Sequence, residues 1–338
     1  MPNSPLFPMN GEIVTAANRT EWLANRNAWL GASETSALFG VNRFESEYSL
    51  AVRKSGTDIP GDDPSVHMRR GLRFEIPIID EVRETKGWRI QPWAQTSSVV
   101  DRENRIGCTP DCTLIDEFGR PALGQIKLSD PFMRSYWDNG VPLEYQIQCQ
   151  TEMAVTGCHL AYLIVVFGLN AEAEVFPIER HLRFQDELMG RVKYFWSCVD
   201  AGELPEPDGS NATADAIKAL YGDDDGTAVD LSDDCDIWAA EYVTVKEQLK
   251  ALEAQSKTLK AKMTDALGSH TYAQMGELFF SYKQQTRDSI DTAKLKDLYP
   301  EAAEDCRKIS EFRVLRQTKK LPKGVEFETN LEGIINEN

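Results

Sequence analysis

The stretch that decides the fold is Ile106-Gly-Cys-Thr-Pro-Asp-Cys-Thr-Leu-Ile115, which is followed closely by Ala122-Leu-Gly-Gln-Ile-Lys-Leu128. Both segments are short apolar runs, and between them lies Asp116-Glu-Phe-Gly-Arg-Pro121, which is rich in turn-forming residues. Two such runs joined by a short turn predict neighbouring strands of a β-hairpin.

Three polar groups come together in this hairpin. Side chains alternate between the two faces of a strand, so Gln125 and Lys127 share a face, with Leu123 deeper on the same face. Asp111, on the other strand, follows a proline. A carboxylate, an amide and an amine at one strand end suit a metal-dependent phosphodiester hydrolase, in which carboxylates hold Mg²⁺ and a lysine orients water and phosphate.

The bulk composition is that of a globular protein. The chain has 338 residues, of which 41% are hydrophobic and 27% charged, and no apolar run approaches the roughly 20 residues that span a bilayer. The first residues have neither a basic start nor an apolar signal core, so we expect a cytoplasmic protein without a membrane partner. The odd number of cysteines, 7, favours buried free thiols over disulfides, and no four have the spacing of a zinc or iron–sulfur site.

The net charge of −17 is concentrated in one segment. Residues 203–236 contain eleven acidic residues and one lysine, so that segment carries −10 and the remaining residues −7. Binding to DNA depends on a local basic surface and not on overall charge. The charge therefore neither supports nor excludes DNA as a ligand.

The order of predicted elements indicates three regions. Residues 1–204 are expected to form an α/β nuclease domain, 205–235 an acidic linker, and 236–338 a helical or α+β accessory domain. The accessory domain begins with a long helix over 237–267, and a strand is predicted over 312–316. A basic patch follows (Arg313, Arg316, Lys319, Lys320 and Lys323), which is equally compatible with a DNA contact and with ordinary surface.

Two polar residues near the N-terminus have a structural and a functional interpretation. Glu75 lies in a predicted helix over 66–86 that Pro77 should break or kink, and it either pairs with neighbouring arginines or serves a site. Ser33 is a candidate N-cap for a helix over 34–40, and the same geometry would suit a bound phosphate.

Five motifs in order extend the pattern beyond the hairpin. They are Arg26…Gly31-Ala-Ser33, Arg70-Gly-Leu-Arg-Phe-Glu75, Cys108-Thr-Pro-Asp111, Gly124-Gln-Ile-Lys127 and Glu144-Tyr-Gln-Ile-Gln148-Cys-Gln150…Val155-Thr-Gly157. Together they resemble the λ-exonuclease / YqaJ viral recombinase family, the phage-type alkaline exonucleases of the PD-(D/E)xK superfamily. The resemblance covers about residues 20–200.

The resemblance implies a restriction-endonuclease-like core, in which helices flank a central mixed β-sheet. It also implies 5′→3′ digestion of one strand of linear double-stranded DNA with 5′-phosphate ends, leaving 3′ overhangs for a single-strand-annealing partner. Mg²⁺ or Mn²⁺, as two ions, would be the cofactor. A homo-oligomeric ring or trimer is expected.

The resemblance also implies roles for individual residues. Asp111 would be the main metal ligand and Lys127 the lysine that orients water or phosphate. Glu75 would be a helix carboxylate that supports a metal, with Asp101 a further acidic ligand. The remaining implied roles are 5′-phosphate binding and an active-site glutamine, carried by Arg26, Ser33 and Gln148.

Gln125 departs from the family pattern, in which this position carries Glu or Asp. An amide oxygen still ligates a metal but brings no charge, so metal binding and water activation should be weaker. The glutamine is either an inactivating replacement of glutamate or a natural feature, and the sequence leaves both open. An endonuclease or structure-specific nuclease with the same site, or a catalytically silent DNA-binding recombination module, remain alternatives to the exonuclease.

Overall fold

The computed structural model describes residues 5–59, 66–168, 172–231 and 234–308. The chain divides into two compact units, Met1–Gly222 and Asp223–Asn338. The first unit holds the residues singled out above, and the core of that unit determines where they lie.

The described strands are numbered in chain order. They are β1 Glu12–Thr15, β2 Leu30–Gly31, β3 Arg89–Pro92, β4 Ser97–Asp101, β5 Ile106–Cys108, β6 Cys112–Ile115, β7 Pro121–Ser129, β8 Leu160–Phe167, β9 Glu174–Glu179, β10 Tyr272–Met275 and β11 Leu278–Ser281.

The described α-helices are α1 Arg19–Asn25, α2 Glu47–Lys54, α3 Val66–Lys86, α4 Leu143–Thr156, α5 Leu182–Ala201, α6 Asn211–Tyr221, α7 Asp234–Leu267, α8 Thr292–Leu298 and α9 Pro300–Asp305. Short 3₁₀ helices occur at Arg26–Ala28, Thr35–Phe39 and Pro131–Trp137.

A five-stranded mixed sheet forms the centre of the first unit, in the order β3-β6-β7-β8-β9. The pairs β3/β6, β6/β7 and β8/β9 are antiparallel, whereas β7 and β8 are parallel because the chain crosses over through α4. Apolar residues of α3 pack on one face of this sheet, and Cys149 and Met153 of α4 pack on the other. The predicted α/β class, with a central mixed sheet flanked by helices, is confirmed.

A second sheet has four strands in the order β1-β4-β5-β2. The predicted hairpin is confirmed for β6 and β7, but the stretch 106–115 is not one strand. It contributes β5 to this second sheet and β6 to the five-stranded sheet. The proline and aspartate between them cause the change, since proline cannot donate to a ladder hydrogen bond.

Two further expectations differ from the structure. The helix α3 continues through Pro77 without a break. Part of the expected linker is α6, whose Ala216 is buried against Tyr48 and Val52 of α2. The first unit therefore extends to Gly222, because α6 covers apolar surface that α2 would otherwise expose.

The second unit contains α7, the antiparallel hairpin β10/β11 and the helices α8 and α9. The strand expected over 312–316 and the basic patch lie outside the described residues. Cys108, Cys112, Cys149 and Cys158 are free thiols and are buried, as expected. No helix in the described ranges combines the length and apolar character that crossing a membrane requires.

Candidate active site

Asp111 lies between β5 and β6, where the chain passes from one sheet to the other. Its backbone N–H donates to the carbonyl oxygen of Gly124 at 3.2 Å, and its own carbonyl oxygen accepts from Trp93 at 3.0 Å. One carboxylate oxygen, Oδ2, accepts from the backbone N–H of Ile126 at 2.6 Å and from the side-chain amide of Gln125 at 2.7 Å. The side chain is thereby held against β7.

The charge state of Asp111 reflects its burial. Burial raises the pKa of the Asp111 carboxyl to about 6, although the positive charge of Lys127 and the N–H of Ile126 both lower it. Desolvation disfavours the carboxylate more than these two groups favour it. A further positive charge beside Asp111 would stabilise the ionised form.

The predicted alternation along β7 is confirmed. Leu123 packs with residues of α4, whereas Ile126 packs on the opposite face with residues of α3. Gln125 is buried on the α4 side, and its Oε1 has no hydrogen-bond partner among the described residues. The ammonium group of Lys127 lies 5.4 Å from the ring centroid of Tyr145 on α4, at the distance of a cation–π contact.

Glu75 of α3 joins this group. Its carboxylate accepts a hydrogen bond from the side-chain amide of Gln95 at 2.8 Å. Burial and the charge of Asp111 raise the pKa of Glu75 to about 7, while the Gln95 hydrogen bond, Lys127 and Arg19 lower it. Gln95 follows Trp93 by two residues, and the backbone N–H of Trp93 donates to the carbonyl oxygen of Asp111. The Gln95 hydrogen bond therefore connects Glu75 to the segment beside Asp111.

A carboxylate that the sequence reasoning missed lies on α4. Glu152 is completely buried, and its Oε1 accepts a hydrogen bond from the amide of Gln148 at 3.0 Å. Burial and the charge of Asp111 raise the pKa of Glu152 to about 8, against the opposing effects of Gln148 and Lys127. Its second oxygen, Oε2, has no hydrogen-bond partner among the described residues.

A sequence signal for Glu152 did exist. It is the single charged residue between Ile147 and Val155, and it stands four positions after Gln148, so both side chains lie on one face of the helix. The predicted active-site glutamine thus reaches the site together with an acid that the motif comparison passed over.

Arg26 and Ser33, the predicted phosphate-binding residues, are neighbours. Nη2 of Arg26 donates to Oγ of Ser33 at 3.4 Å and pairs with the carboxylate of Glu34 at 3.2 Å. The guanidinium group lies 4.9 Å from the ring centroid of Trp22. Gly31 permits this position, because a β-carbon there would lie 2.4 Å from Nη2 of Arg26.

The expected N-cap role of Ser33 is wrong. The following 3₁₀ helix, Thr35–Phe39, has Glu34 at its N-cap position and no side-chain cap. The Ser33 side chain is exposed instead, which leaves its hydroxyl available to a ligand.

Backbone and side-chain contacts connect this segment to the carboxylate site. The parallel strands β2 and β5 place Gly31 opposite Gly107, so the segment after Gly31 runs alongside the segment that leads to Asp111. The hydroxyl of Thr35 is 2.8 Å from the hydroxyl of Thr151, which precedes Glu152 on α4. The segment that carries Arg26 and Ser33 is therefore joined through β5 and α4 to the segments that carry Asp111 and Glu152.

Asp101 is not brought to the site. It pairs with Ile106 at the end of the β4/β5 hairpin, and its carboxylate accepts hydrogen bonds from the backbone and side chain of Asn104 at 3.1 and 2.7 Å. From Ile106 the chain runs through Cys108 towards Asp111, away from Asp101. Asp101 and Asp111 therefore lie at opposite ends of the β4/β5 hairpin, although they are ten residues apart in sequence.

The donor atoms around Asp111 fit a hard divalent cation. Within the described ranges, no three His, Cys, Asp or Glu side chains are close enough together to hold a metal ion. The buried side-chain oxygens that lack a partner in those ranges, however, are Oε1 of Gln125 and Oε2 of Glu152, and both belong to this site. Unpaired buried oxygens are unfavourable, and a cation such as Mg²⁺ satisfies them.

Comparisons with known proteins agree with the resemblance seen in the motifs. Residues 21–159 match the family model of the YqaJ-like viral recombinase domain. The chain is 26% identical over 303 residues to the uncharacterized protein YqaJ of Bacillus subtilis (strain 168), a match that covers 88% of this chain and 93% of that protein.

Two solved structures are similar to part of the chain. An alkaline exonuclease from Laribacter hongkongensis matches with a TM-score of 0.44 and 21% identity, covering 54% of this chain and 93% of that one. A phage-related exonuclease from Haemophilus somnus 129PT matches with a TM-score of 0.40 and 15% identity, covering 51% and 94%.

Proposed function

We propose, from the match of residues 21–159 to the family model of the YqaJ-like viral recombinase domain, that the chain is a Mg²⁺-dependent exonuclease of double-stranded DNA. It digests one strand of a linear duplex from the 5′ end and leaves a 3′ overhang. The observation that carries the proposal is the contact of the Asp111 carboxylate, from the connection between β5 and β6, with Gln125 and Ile126 of β7, the strand that also carries Lys127.

Different residues would have different roles in phosphodiester hydrolysis. Asp111 and Gln125 would hold the divalent cation, Mg²⁺ or Mn²⁺, with Glu75 supporting a second ion or its water. Bound to these oxygens, the metal supplies charge stabilisation for the phosphate and makes a water molecule more acidic. Lys127, with its ammonium group beside the Tyr145 ring, orients the phosphate or the attacking water. Gln148 presents its amide to Glu152 and keeps α4 polar on this side.

Arg26 and Ser33 would bind the 5′-phosphate of the strand to be digested. The guanidinium group is fixed by Glu34 and by the face of Trp22, so few side-chain rotations are lost when a phosphate binds. A terminal phosphate held there would set the register of the strand relative to the carboxylates.

The substrate preference of the chain tests this proposal. The protein and its Gln125→Glu variant are each incubated with Mg²⁺ and either a linear 5′-phosphorylated duplex or closed circular DNA. We expect digestion of the linear duplex from the 5′ end and intact circles. Cutting of circles would instead identify an endonuclease.

A second candidate function is a catalytically silent DNA-binding recombination module. The neutral amide of Gln125 favours it, because the family pattern has a carboxylate there. DNA binding without digestion by either version of the protein would support this alternative.

The proposed partners follow from the family alone. A single-strand-annealing protein would receive the 3′ overhang, and a trimer or similar ring of this chain would enclose the duplex. A monomeric mass by light scattering at working concentration would argue against the ring.

A further inference from the structure

Glu152 of α4 is a carboxylate without an assigned task in the proposed nuclease. Its side chain is fully buried, yet only one of its two oxygens has a hydrogen-bond donor among the described residues. A buried acid that served packing alone would be expected to have both oxygens bonded or to be replaced by an amide. The free oxygen requires a donor or a cation.

The surroundings of Glu152 place it beside the residue that departs from the family pattern. It interacts electrostatically with both Asp111 and Lys127. The thiols of Cys112 and Cys149 also lie within its electrostatic reach. Cys149 and Met153, on either side of Glu152 in α4, pack with Leu123 of β7. Gln125 lies on the same face of β7 as Leu123, so α4 carries Glu152 over the side of β7 that carries Gln125.

Gln125 and Glu152 each have a buried side-chain oxygen that lacks a hydrogen-bond donor within the described ranges, but only Glu152 can carry a negative charge. Gln125 offers a neutral oxygen without a donor, at a position where the pattern requires a charge. Glu152 offers a carboxyl oxygen without a donor, on the helix that covers the same strand, and a bound cation would favour its ionised form. A site with Asp111 and Glu152 carries the same two negative charges as a site with Asp111 and a glutamate at position 125.

We propose that Glu152 is a ligand of the divalent cation and supplies from α4 the negative charge that β7 lacks at Gln125. The cation site is then Asp111, Gln125 and Glu152, and the chain is not an inactivated nuclease. The inference rests on the proposed function, because it assumes that Asp111 binds a metal.

Metal binding without DNA tests the inference. Mn²⁺ is titrated calorimetrically into the full chain, and unfolding temperatures are compared in EDTA and in Mn²⁺. The variants are Glu152→Gln and the exchange variant Gln125→Glu/Glu152→Gln. Glu144→Gln, the same substitution two turns earlier on α4, is the matched control, and Asp111→Asn is the reference for loss of the site.

We expect Glu152→Gln to weaken Mn²⁺ binding about tenfold or more and to reduce the stabilisation by Mn²⁺, since affinity follows the charge of the ligands. The exchange variant should bind Mn²⁺ nearly as well as the natural chain, and Glu144→Gln should bind it unchanged. In EDTA, Glu152→Gln should be at least as stable as the natural chain, because it removes a buried acid.

Unchanged Mn²⁺ affinity in Glu152→Gln, together with lost binding in Asp111→Asn, would overturn the inference and leave the nuclease proposal standing. If neither the natural chain nor the exchange variant binds Mn²⁺, the inference and the nuclease proposal both fail. Should Glu152→Gln not fold, Glu152→Asp takes its place: it keeps the charge but shortens the side chain, and unchanged affinity there would overturn the inference equally.

Discussion

At the scale of single residues, burial has the largest influence on the pKa values of the carboxyl groups in the site. Burial is the largest effect on Asp111, Glu75 and Glu152, and it raises all three pKa values, to about 6, 7 and 8. Lys127 acts on each of them in the opposite direction. A divalent cation bound by Asp111 would favour the ionised forms of these carboxyl groups.

Asp111 and Asp101 make a matched pair for testing this site. Asp111→Asn removes the charge that the site is built around, so we expect Mg²⁺-dependent DNA digestion to fall on the order of a hundredfold or more. Asp101→Asn, which alters a turn, should leave the rate within about threefold of the natural chain, as for a substitution away from the site. The measurement is the initial rate on a linear 5′-phosphorylated duplex. Equal losses in the two variants would contradict the placement of the site.

Gly31 tests the proposed phosphate-binding role of Arg26. A β-carbon at position 31 would displace the guanidinium group, so Gly31→Ala should reduce the preference for 5′-phosphorylated over 5′-hydroxyl ends by about tenfold, the value of one charge-assisted hydrogen bond. Gly190→Ala on α5 is the control, because open space surrounds that position. The ratio of digestion rates on the two kinds of end is the readout. An unchanged ratio in Gly31→Ala would show that Arg26 does not select the phosphate.

At the scale of elements, the β6/β7 hairpin and the turns around α2 hold the site in place. Gly124 lies opposite Cys112 in the hairpin and also accepts the backbone hydrogen bond of Asp111. Glu34 binds the N–H of Gly31 at 2.7 Å and pairs with Arg53 and Lys54 of α2 at 3.0 and 2.9 Å. The hairpin therefore positions Asp111, and the contacts of Glu34 position Arg26.

The contact between Gly124 and Cys112 predicts a coupled effect on stability. A β-carbon at position 124 would lie 2.3 Å from Sγ of Cys112, so Gly124→Ala should destabilise the fold by about 1–3 kcal/mol through overpacking. In Cys112→Ala/Gly124→Ala the clash is removed, and the double variant should be more stable than the sum of the single effects. Urea unfolding of the four proteins gives the coupling free energy. Strictly additive effects of the two substitutions on the unfolding free energy would contradict a clash between the added β-carbon and Sγ of Cys112.

Glu34 predicts a pH dependence of stability. Burial raises its pKa, but the charges of Arg26, Lys54 and Arg53 outweigh burial and lower it to about 2. Because the folded value is below the unfolded value, the ionised carboxylate stabilises the fold above about pH 4.5, and this contribution is lost as the pH falls towards 2.

Glu34→Gln should therefore cost about 3 kcal/mol at pH 7, since it leaves the buried Lys54 without its carboxylate and Arg53 with Glu45 alone. The gap in unfolding free energy between this variant and the natural chain should narrow by pH 3. Urea titrations at the two pH values measure it. An equal difference in unfolding free energy at pH 7 and at pH 3 would exclude a lowered pKa for Glu34.

At the scale of the whole molecule, the boundary of the first unit is the new finding. Acidic composition suggested a linker from residue 205, but α6 packs on α2 through Ala216, and Thr213 exchanges a 2.7 Å hydrogen bond with the hydroxyl of Ser46. The boundary between the units therefore follows Gly222.

Truncation distinguishes the two boundaries. A chain ending at Gly222 should unfold cooperatively, whereas a chain ending at Leu204 should be less stable by about 2 kcal/mol or more, because Tyr48 and Val52 lose their cover. Calorimetric unfolding compares them. Equal unfolding temperatures would mean that α6 contributes nothing to the first unit.

Much of this architecture was accessible from local pattern. Alternation along β7 placed Gln125 and Lys127 on one face, and helical spacing located α3, α4 and α5, because hydrophobic periodicity reflects which side of an element meets the core. The ordered motifs around Asp111 indicated the family and the nuclease proposal. These inferences depend on residues that are near one another in the chain.

Other features depended on segments that are far apart in the chain. Asp101 and Glu152 are both acids near the motifs, yet the hairpin register carries Asp101 away from Asp111, and the crossover of α4 brings Glu152 towards it. The continuation of α3 through Pro77 and the packing of α6 on α2 arise in the same way. Burial and electrostatic environment are properties of the assembled core, so no local window of sequence contains them.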